Sequence, residues 1–195
     1  MSTKYKQKYS TSEYLDIDSA SDQRHEYLDG EIFAMTGGSI SHIRIRENIA
    51  FSLYGQLLNK DCEVLSGDMR VKTDANFYTY PDLVVVCGNT LVEKLEGKET
   101  LINPKVIIEI LSKSTRNYDK TDKFELYKHI SSFSEYILID QYQPHVVVYT
   151  KQPDNSWTLS AESKVLDSEV SFLTIDCTLA LSHIYRKVDF QQKNN

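Results

Sequence analysis

The chain predicts a mixed α/β or α+β fold, a β-sheet with helices on its faces. Three observations lead there. Two short, β-branched apolar runs at 81–87 and 105–111 are bounded by breakers and read as buried strands. Ile45, Ile49, Leu53 and Leu57 recur every fourth residue, the spacing of one helix face. Helix-like and strand-like stretches then alternate along the chain instead of separating into blocks.

In order, Thr11 or Ser12 can cap a short helix through Ile17. Residues 25–35 form two strand-like halves around Asp29-Gly30, a dipeptide favoured in tight hairpins. Gly37-Gly38-Ser39 breaks that pattern, and a helix is predicted over 41–59, with Ala50 and Leu58 flanking its apolar stripe. Strand-like pieces follow at 62–65, 68–73 and 81–87. Residues 88–103 read as a loop or a short helix, 105–111 as a strand and 112–116 as a polar turn. A helix over 119–131 presents Phe124, Tyr127 and Ile130 on one face. Residues 135–140 and 145–150 make a hairpin around 141–144, 157–162 a further strand, and 179–185 a short terminal helix.

A length of 195 residues suits one domain with a real core, expected at 11–190 with flexible tails at 1–10 and 191–195. With 41% hydrophobic and 26% charged residues, the composition argues against disorder. A net charge of −6 excludes a global field that would draw the chain to nucleic acid. The lysines and arginine between Lys94 and Lys128 are interleaved with Glu93, Glu96, Glu99, Glu109, Asp119, Asp122 and Glu125, so that stretch is of mixed sign. Cys62, Cys87 and Cys177 are odd in number and show no metal-ligand spacing; neither a disulfide nor a zinc site is expected, and Cys87 and Cys177 read as small core residues. The polar start lacks the apolar core of a secretory signal, and no apolar run approaches the roughly 20 residues of a membrane span, so a soluble, cytoplasmic protein is expected.

Chemistry enters with two misplaced acids. Asp82 opens the first buried strand and Glu109 stands in the middle of the second. Alternation puts Val106, Ile108 and Ile110 on one face, and Ile107, Glu109 and Leu111 on the other, so both faces of that strand are covered. An ionised carboxylate there is costly unless it is paired or binds a metal. If the two strands are neighbours, Asp82 and Glu109 can share one Mg²⁺ that keeps water, phosphate and carbonyl ligands besides. Glycine-rich phosphate loops, nucleophile elbows and the HExxH zinc pattern are absent.

Pro81-Asp82 with Glu109 resembles the PD-(D/E)xK nuclease superfamily, whose fold is that of restriction endonucleases. The chain departs from it at Leu111, where that pattern has lysine. A longer ordered set is more specific. His25 to Glu31, Ser41-His42, Pro81-Asp82, Glu109 to Thr115, Asp119 to Tyr127 and Glu135 to Asp140 together resemble the Uma-type family of restriction endonucleases. That resemblance covers about 12–149, and Lys113 stands where the family usually has proline.

The resemblance implies a restriction-endonuclease-like mixed sheet flanked by helices and a Mg²⁺- or Mn²⁺-dependent endonuclease hydrolysing DNA, double-stranded in the simplest case. A homodimer suits the cutting of two strands. Asp82 and Glu109 are the implied metal ligands, Lys123 the migrated amine, Glu26 a third carboxylate and His42 a further candidate; Lys113 is the spare amine. Each residue also has a structural explanation. Asp82 could be solvated in a Pro-Asp turn, and Glu109 could pair with Lys113, Arg116 or Lys123. Lys123 could be a solvated helix residue, Glu26 an exposed strand acid and His42 a hydrogen-bonded ring near a helix start. Two other functions stay open: a nuclease-fold module that binds nucleic acid or assembles without cutting, and a purely structural domain.

Overall fold

The computed structural model describes residues 7–95 and 97–190. Helix α1 (Thr11–Ala20) starts where Ser10 and Glu13 satisfy each other's backbone N–H groups. Strands β1 (His25–Leu28) and β2 (Glu31–Ala34) pair across Asp29-Gly30, whose φ values of 48° and 87° are those a two-residue hairpin turn requires. Helix α2 (Ile40–Leu57) is capped by Ser39, whose Oγ accepts the His42 N–H at 3.2 Å. Its Ile45, Ile49, Leu53 and Leu57 are buried, as their spacing predicts.

Strands β3 (Cys62–Ser66), β4 (Arg70–Lys72), β5 (Phe77–Thr79), β6 (Leu83–Cys87), β7 (Val92–Leu95), β8 (Lys98–Leu101) and β9 (Val106–Leu111) follow. Helices α3 (Arg116–Lys120) and α4 (Asp122–Tyr127) lead to β10 (Glu135–Asp140), β11 (Val146–Lys151) and β12 (Trp157–Ser163). The chain closes with β13 (Glu169–Phe172), a 3₁₀ turn at Leu173–Ile175, β14 (Cys177–Ala180) and α5 (Leu181–Ile184).

Among the described residues these strands build two six-stranded sheets and one hairpin, a mixed α+β architecture. The first sheet runs β2-β1-β5-β4-β8-β7, the second β12-β11-β10-β9-β6-β3, and β13 pairs with β14. In the second, β9 is parallel to β10 and antiparallel to β6. All six side chains of β9 are buried because both faces are covered. Val106, Ile108 and Ile110 pack with the α2 stripe and the C-terminal elements. Ile107 and Leu111 pack with Phe124 and Tyr127 of α4 and with Val71, Phe77 and Leu101 of the first sheet. An aromatic lattice continues that second core: Phe124 stacks on Tyr136 at 4.7 Å and meets Trp157 edge-on at 5.1 Å, and Phe133 lies 4.8 Å from Trp157.

Four expectations are corrected. Residues 88–103 hold the β7–β8 hairpin instead of a loop or helix: Gly97 takes φ 76° at the turn, and β8 adds to β4 in parallel. The helix expected over 119–131 is broken at Thr121, whose φ of −123° and ψ of −93° separate α3 from α4. The terminal helix is shorter, because residues 177–180 pair as β14 with the unforeseen β13. Cys62 and Cys87 form a disulfide, since the antiparallel β3–β6 register sets them directly opposite. Tyr9 N–H bonds to the Gly30 carbonyl at 2.8 Å and Ser10 caps α1; of the tails expected at 1–10 and 191–195, residues 1–6 and 191–195 lie outside the described residues. Among those described, no helix is long and apolar enough to cross a membrane.

Candidate active site

The link between the two large sheets carries the first acid. β5 ends in the first sheet at Thr79, Tyr80-Pro81-Asp82 follow, and β6 opens in the second sheet at Leu83. Tyr80 anchors the link by donating its hydroxyl to buried Asp18 at 2.6 Å. Leu83 pairs with Ile108, which sets Asp82 beside the middle of β9, where its Oδ2 accepts the Ile110 N–H at 2.8 Å. Asp82 Oδ1 lies 2.6 Å from His42 Nε2. A carboxylate can only accept, so the imidazole donates. His42 reaches it because the Ser39 cap starts α2 there and leaves the ring in the first turn.

Glu109 is 4% exposed. Its Oε1 accepts the Tyr127 hydroxyl at 2.7 Å and faces Lys123 Nζ at 3.0 Å. Lys123 and Tyr127 stand one turn apart on α4, so a single helix face serves both contacts. The same ammonium is 2.9 Å from Glu26 Oε1 and 3.8 Å from Asp119 Oδ1. Glu26 comes from β1, and Thr79 of the neighbouring β5 donates its hydroxyl to Glu26 at 2.5 Å. Both large sheets and three helices therefore contribute to one neighbourhood.

Its electrostatics are unbalanced. Burial pushes Glu109 up to about 8; Lys123 opposes that rise while Asp119 and Asp82 add to it. Asp119 is raised too, by burial first, against the pull of Lys123. Burial alone would lower Lys123, but Glu109, Glu26 and Asp119 outweigh it and hold the ammonium well above its usual range. Three carboxylates, Glu109, Glu26 and Asp119, share the one Lys123 ammonium, so the cluster takes up a proton or a cation. Among the described residues no three His, Cys, Asp or Glu side chains are gathered as a ready-made cage. Mg²⁺ does not need one, since it binds through one or two carboxylates and fills its remaining positions with water and substrate oxygens. Asp82 and Glu109 with that excess of carboxylates fit a hard divalent cation.

Asp82, Glu109, Glu26, Lys123 and His42 are thus brought together, and Lys113 is not: its Nζ lies over the Tyr142 ring at 5.3 Å. Leu111, at the position where the nuclease pattern has lysine, is 2% exposed and belongs to the α4-side core. Glu26 is not an exposed strand acid and Lys123 not a solvated one. Sequence reasoning missed Tyr127, Thr79 and Asp119 as members of the cluster. Asp119, Lys123 and Tyr127 do recur every fourth residue, a usable signal, whereas nothing local marks Thr79.

The family model described as "Uma2: Putative restriction endonuclease" matches residues 11–181. The chain belongs to the Uma2 family. This Uma2 chain is 30% identical over 184 residues to the uncharacterized protein slr1290 of Synechocystis sp., covering 94% of each. It is 31% identical over 166 residues to sll1609 of the same organism, also uncharacterized, covering 84% of this chain and 93% of that one. Among solved structures it resembles a protein of Anabaena variabilis described as a "putative nuclease belonging to DUF820", with a TM-score of 0.69 at 19% identity over 88% of this chain and 97% of that one. At such identity the likeness concerns the fold, and the Uma2 chain has a nuclease fold.

Proposed function

We propose that residues 11–190 act as one catalytic domain, a Mg²⁺- or Mn²⁺-dependent endonuclease of PD-(D/E)xK type that hydrolyses phosphodiester bonds of DNA. The observation that carries this reading is the meeting of Asp82, Glu109, Glu26 and Lys123 at one junction between the sheets. Asp82 and Glu109 would hold the cation, whose chemistry is to polarise the scissile phosphate and lower the pKa of water. Lys123 stays charged and stands beside Glu109, where an ammonium orients the attacking water and offsets charge developing on phosphate. Glu26 and Asp119 fix that ammonium, Tyr127 fixes the Glu109 carboxylate, and His42 with the Ile110 N–H fixes Asp82. Such outer contacts orient the groups that act. Double-stranded DNA as substrate, a homodimer to cut both strands and a cytoplasmic location go with this function.

The test needs no knowledge of sequence preference. Mn²⁺ is titrated calorimetrically into wild type and Glu109→Ala, both verified as folded, and supercoiled DNA is then incubated with each in Mg²⁺ or Mn²⁺. Saturable binding and metal-dependent cleavage are expected in the wild type and neither in the variant. Cleavage unchanged in both Asp82→Ala and Glu109→Ala would remove these acids from the mechanism.

Leu111 in the usual lysine position, together with the net charge of −6, favours a second function, a nuclease-fold module that binds nucleic acid or assembles without cutting. Salt-dependent DNA binding with no turnover is its signature. Any metal-dependent product that disappears in Glu109→Ala excludes it.

A further inference from the structure

Two cations that the acidic cluster does not use converge just beyond β9. Lys113 Nζ lies 5.3 Å from the centroid of the Tyr142 ring, and Arg116 Cζ lies 5.8 Å from the same centroid. With Gln143 these three side chains line an open cleft of ≈ 430 Å³. Asp140, nearly buried, holds the cleft from below. It pairs with Arg116 Nη2 at 3.0 and 2.9 Å through its two oxygens. It also accepts the Tyr142 N–H at 2.9 Å and Gln143 Nε2 at 3.1 Å. The Lys113 N–H, donating to the Tyr142 hydroxyl at 3.4 Å, closes the other side.

The charges do not cancel. Asp140 neutralises Arg116, but among the described residues no carboxylate pairs with Lys113. Arg116 Nε is buried without a hydrogen-bond partner. Two like charges are thus held over one ring in a chain of net charge −6, which leaves a locally positive cleft suited to an anion.

Its position matters as much as its sign. Asp140 stands opposite Leu111, and Leu138 opposite Glu109, in the parallel β10–β9 register. The cleft therefore opens at the strand end next to the acidic cluster. Lys113 follows Glu109 by four residues, at most about 13 Å of extended chain. One strand of a duplex advances about 3.4 Å per phosphate, so the cleft lies within a few phosphates of the acids.

The geometry points to a phosphate-backbone subsite: Lys113 and Arg116, presented by the Tyr142 ring, grip the DNA strand to one side of the scissile phosphate. This subsite rests on the nuclease function above and explains how an acidic protein holds a polyanion beside its own carboxylates. It also gives Lys113 a role apart from the amine at Glu109, which Lys123 supplies.

The experiment measures binding of a fluorescent DNA duplex over a series of salt concentrations. It uses Glu109→Gln, chosen to halt hydrolysis, and compares it with the same chain carrying Lys113→Ala or Lys113→Glu. Lys113 is exposed, so neither change threatens the fold. Lys113→Ala is expected to weaken binding several-fold for every duplex sequence and to reduce the salt slope by about one, the loss of one phosphate contact. Lys113→Glu weakens binding further. Wild-type cleavage in Mg²⁺ or Mn²⁺ is read in parallel. If the wild type cuts while affinity and slope ignore both Lys113 changes, the subsite is wrong and the nuclease function stands. If duplex binding depends on Lys113 but the wild type never cuts, the subsite stands on the non-cutting module. If neither cleavage nor duplex binding is found, both fall, and a single-stranded RNA bound more tightly than the duplex overturns the DNA assignment.

Discussion

Lys123 and Glu109 meet at 3.0 Å across the interface between α4 and β9, so the ammonium paired with this strand acid comes from a helix. Position 111 on the strand itself is filled by a leucine of the buried core. Removing the amine leaves Glu109, Glu26 and Asp119 without their shared cation. Lys123→Ala is expected to lose about 3–5 kcal/mol of stability, the cost of breaking a buried ion pair from one side. Urea unfolding at neutral pH measures it, and a loss under about 1 kcal/mol would mean that the acids are neutralised some other way.

Glu109→Gln acts in the opposite sense. The amide oxygen can still accept from Tyr127 and Lys123, and a neutral side chain suits the burial that already raises the Glu109 carboxyl. Stability should stay within about 1 kcal/mol of wild type or rise, and Mn²⁺ binding should vanish in calorimetry. Retained binding with wild-type affinity would take Glu109 out of the proposed metal site.

His42 tests orientation without touching the carboxylates. The cap of α2 belongs to Ser39, so His42→Ala should leave the melting temperature nearly unchanged. Losing the 2.6 Å contact to Asp82 should cost about 10–100-fold in metal affinity or cleavage. Equal loss of stability and activity would instead mark the ring as a packing element.

Glu135 predicts a pH dependence outside the acidic cluster, three residues before Leu138, which stands opposite Glu109. Its Oε1 accepts Leu173 N–H and the Thr150 hydroxyl, while Oε2 is buried without a partner. Burial raises its pKa from 4.5 to about 7, against the pull of those hydrogen bonds. The folded chain therefore holds this proton more tightly than the unfolded chain does. That contribution is complete below about pH 4.5 and is lost as pH climbs through 7, a change on the order of 3 kcal/mol. Glu135→Gln should flatten this decline, measured as unfolding midpoints at pH 5 and pH 8. Parallel declines in both proteins would rule Glu135 out as the cause.

The Cys62–Cys87 disulfide closes a loop with a sequence separation of 25. Chain entropy assigns such a closure about 3 kcal/mol. A reductant, or Cys62→Ser, should lower the unfolding midpoint accordingly. A midpoint indifferent to reductant would show that the cross-link contributes nothing to stability.

What could be read from the residues alone follows from which signals are local. Asp82 and Glu109 stood out because acids are rare inside apolar β-branched runs, and the α2 stripe because its period is regular. The β7–β8 hairpin hid behind its charges: Lys94 and Glu99 are exposed, while Glu93 pairs with Lys72 and Lys98 with buried Asp18, partners that only the tertiary fold supplies. The break at Thr121 is a backbone conformation with no proline or glycine to announce it. The disulfide depended on register: two cysteines far apart in sequence become partners only once β3 lies antiparallel to β6. The junction of Glu26, Thr79 and Lys123 is likewise tertiary. Family resemblance pointed to two of these residues, and no periodicity could have joined all three.

Trp157 is the only tryptophan of the chain, and it rests against Phe124, the residue that follows Lys123 on α4. Any shift of that helix which undocks the lysine must also change the surroundings of the indole. Its emission colour is therefore a label-free optical gauge of whether the amine is seated, readable in a cuvette before any substrate has been found.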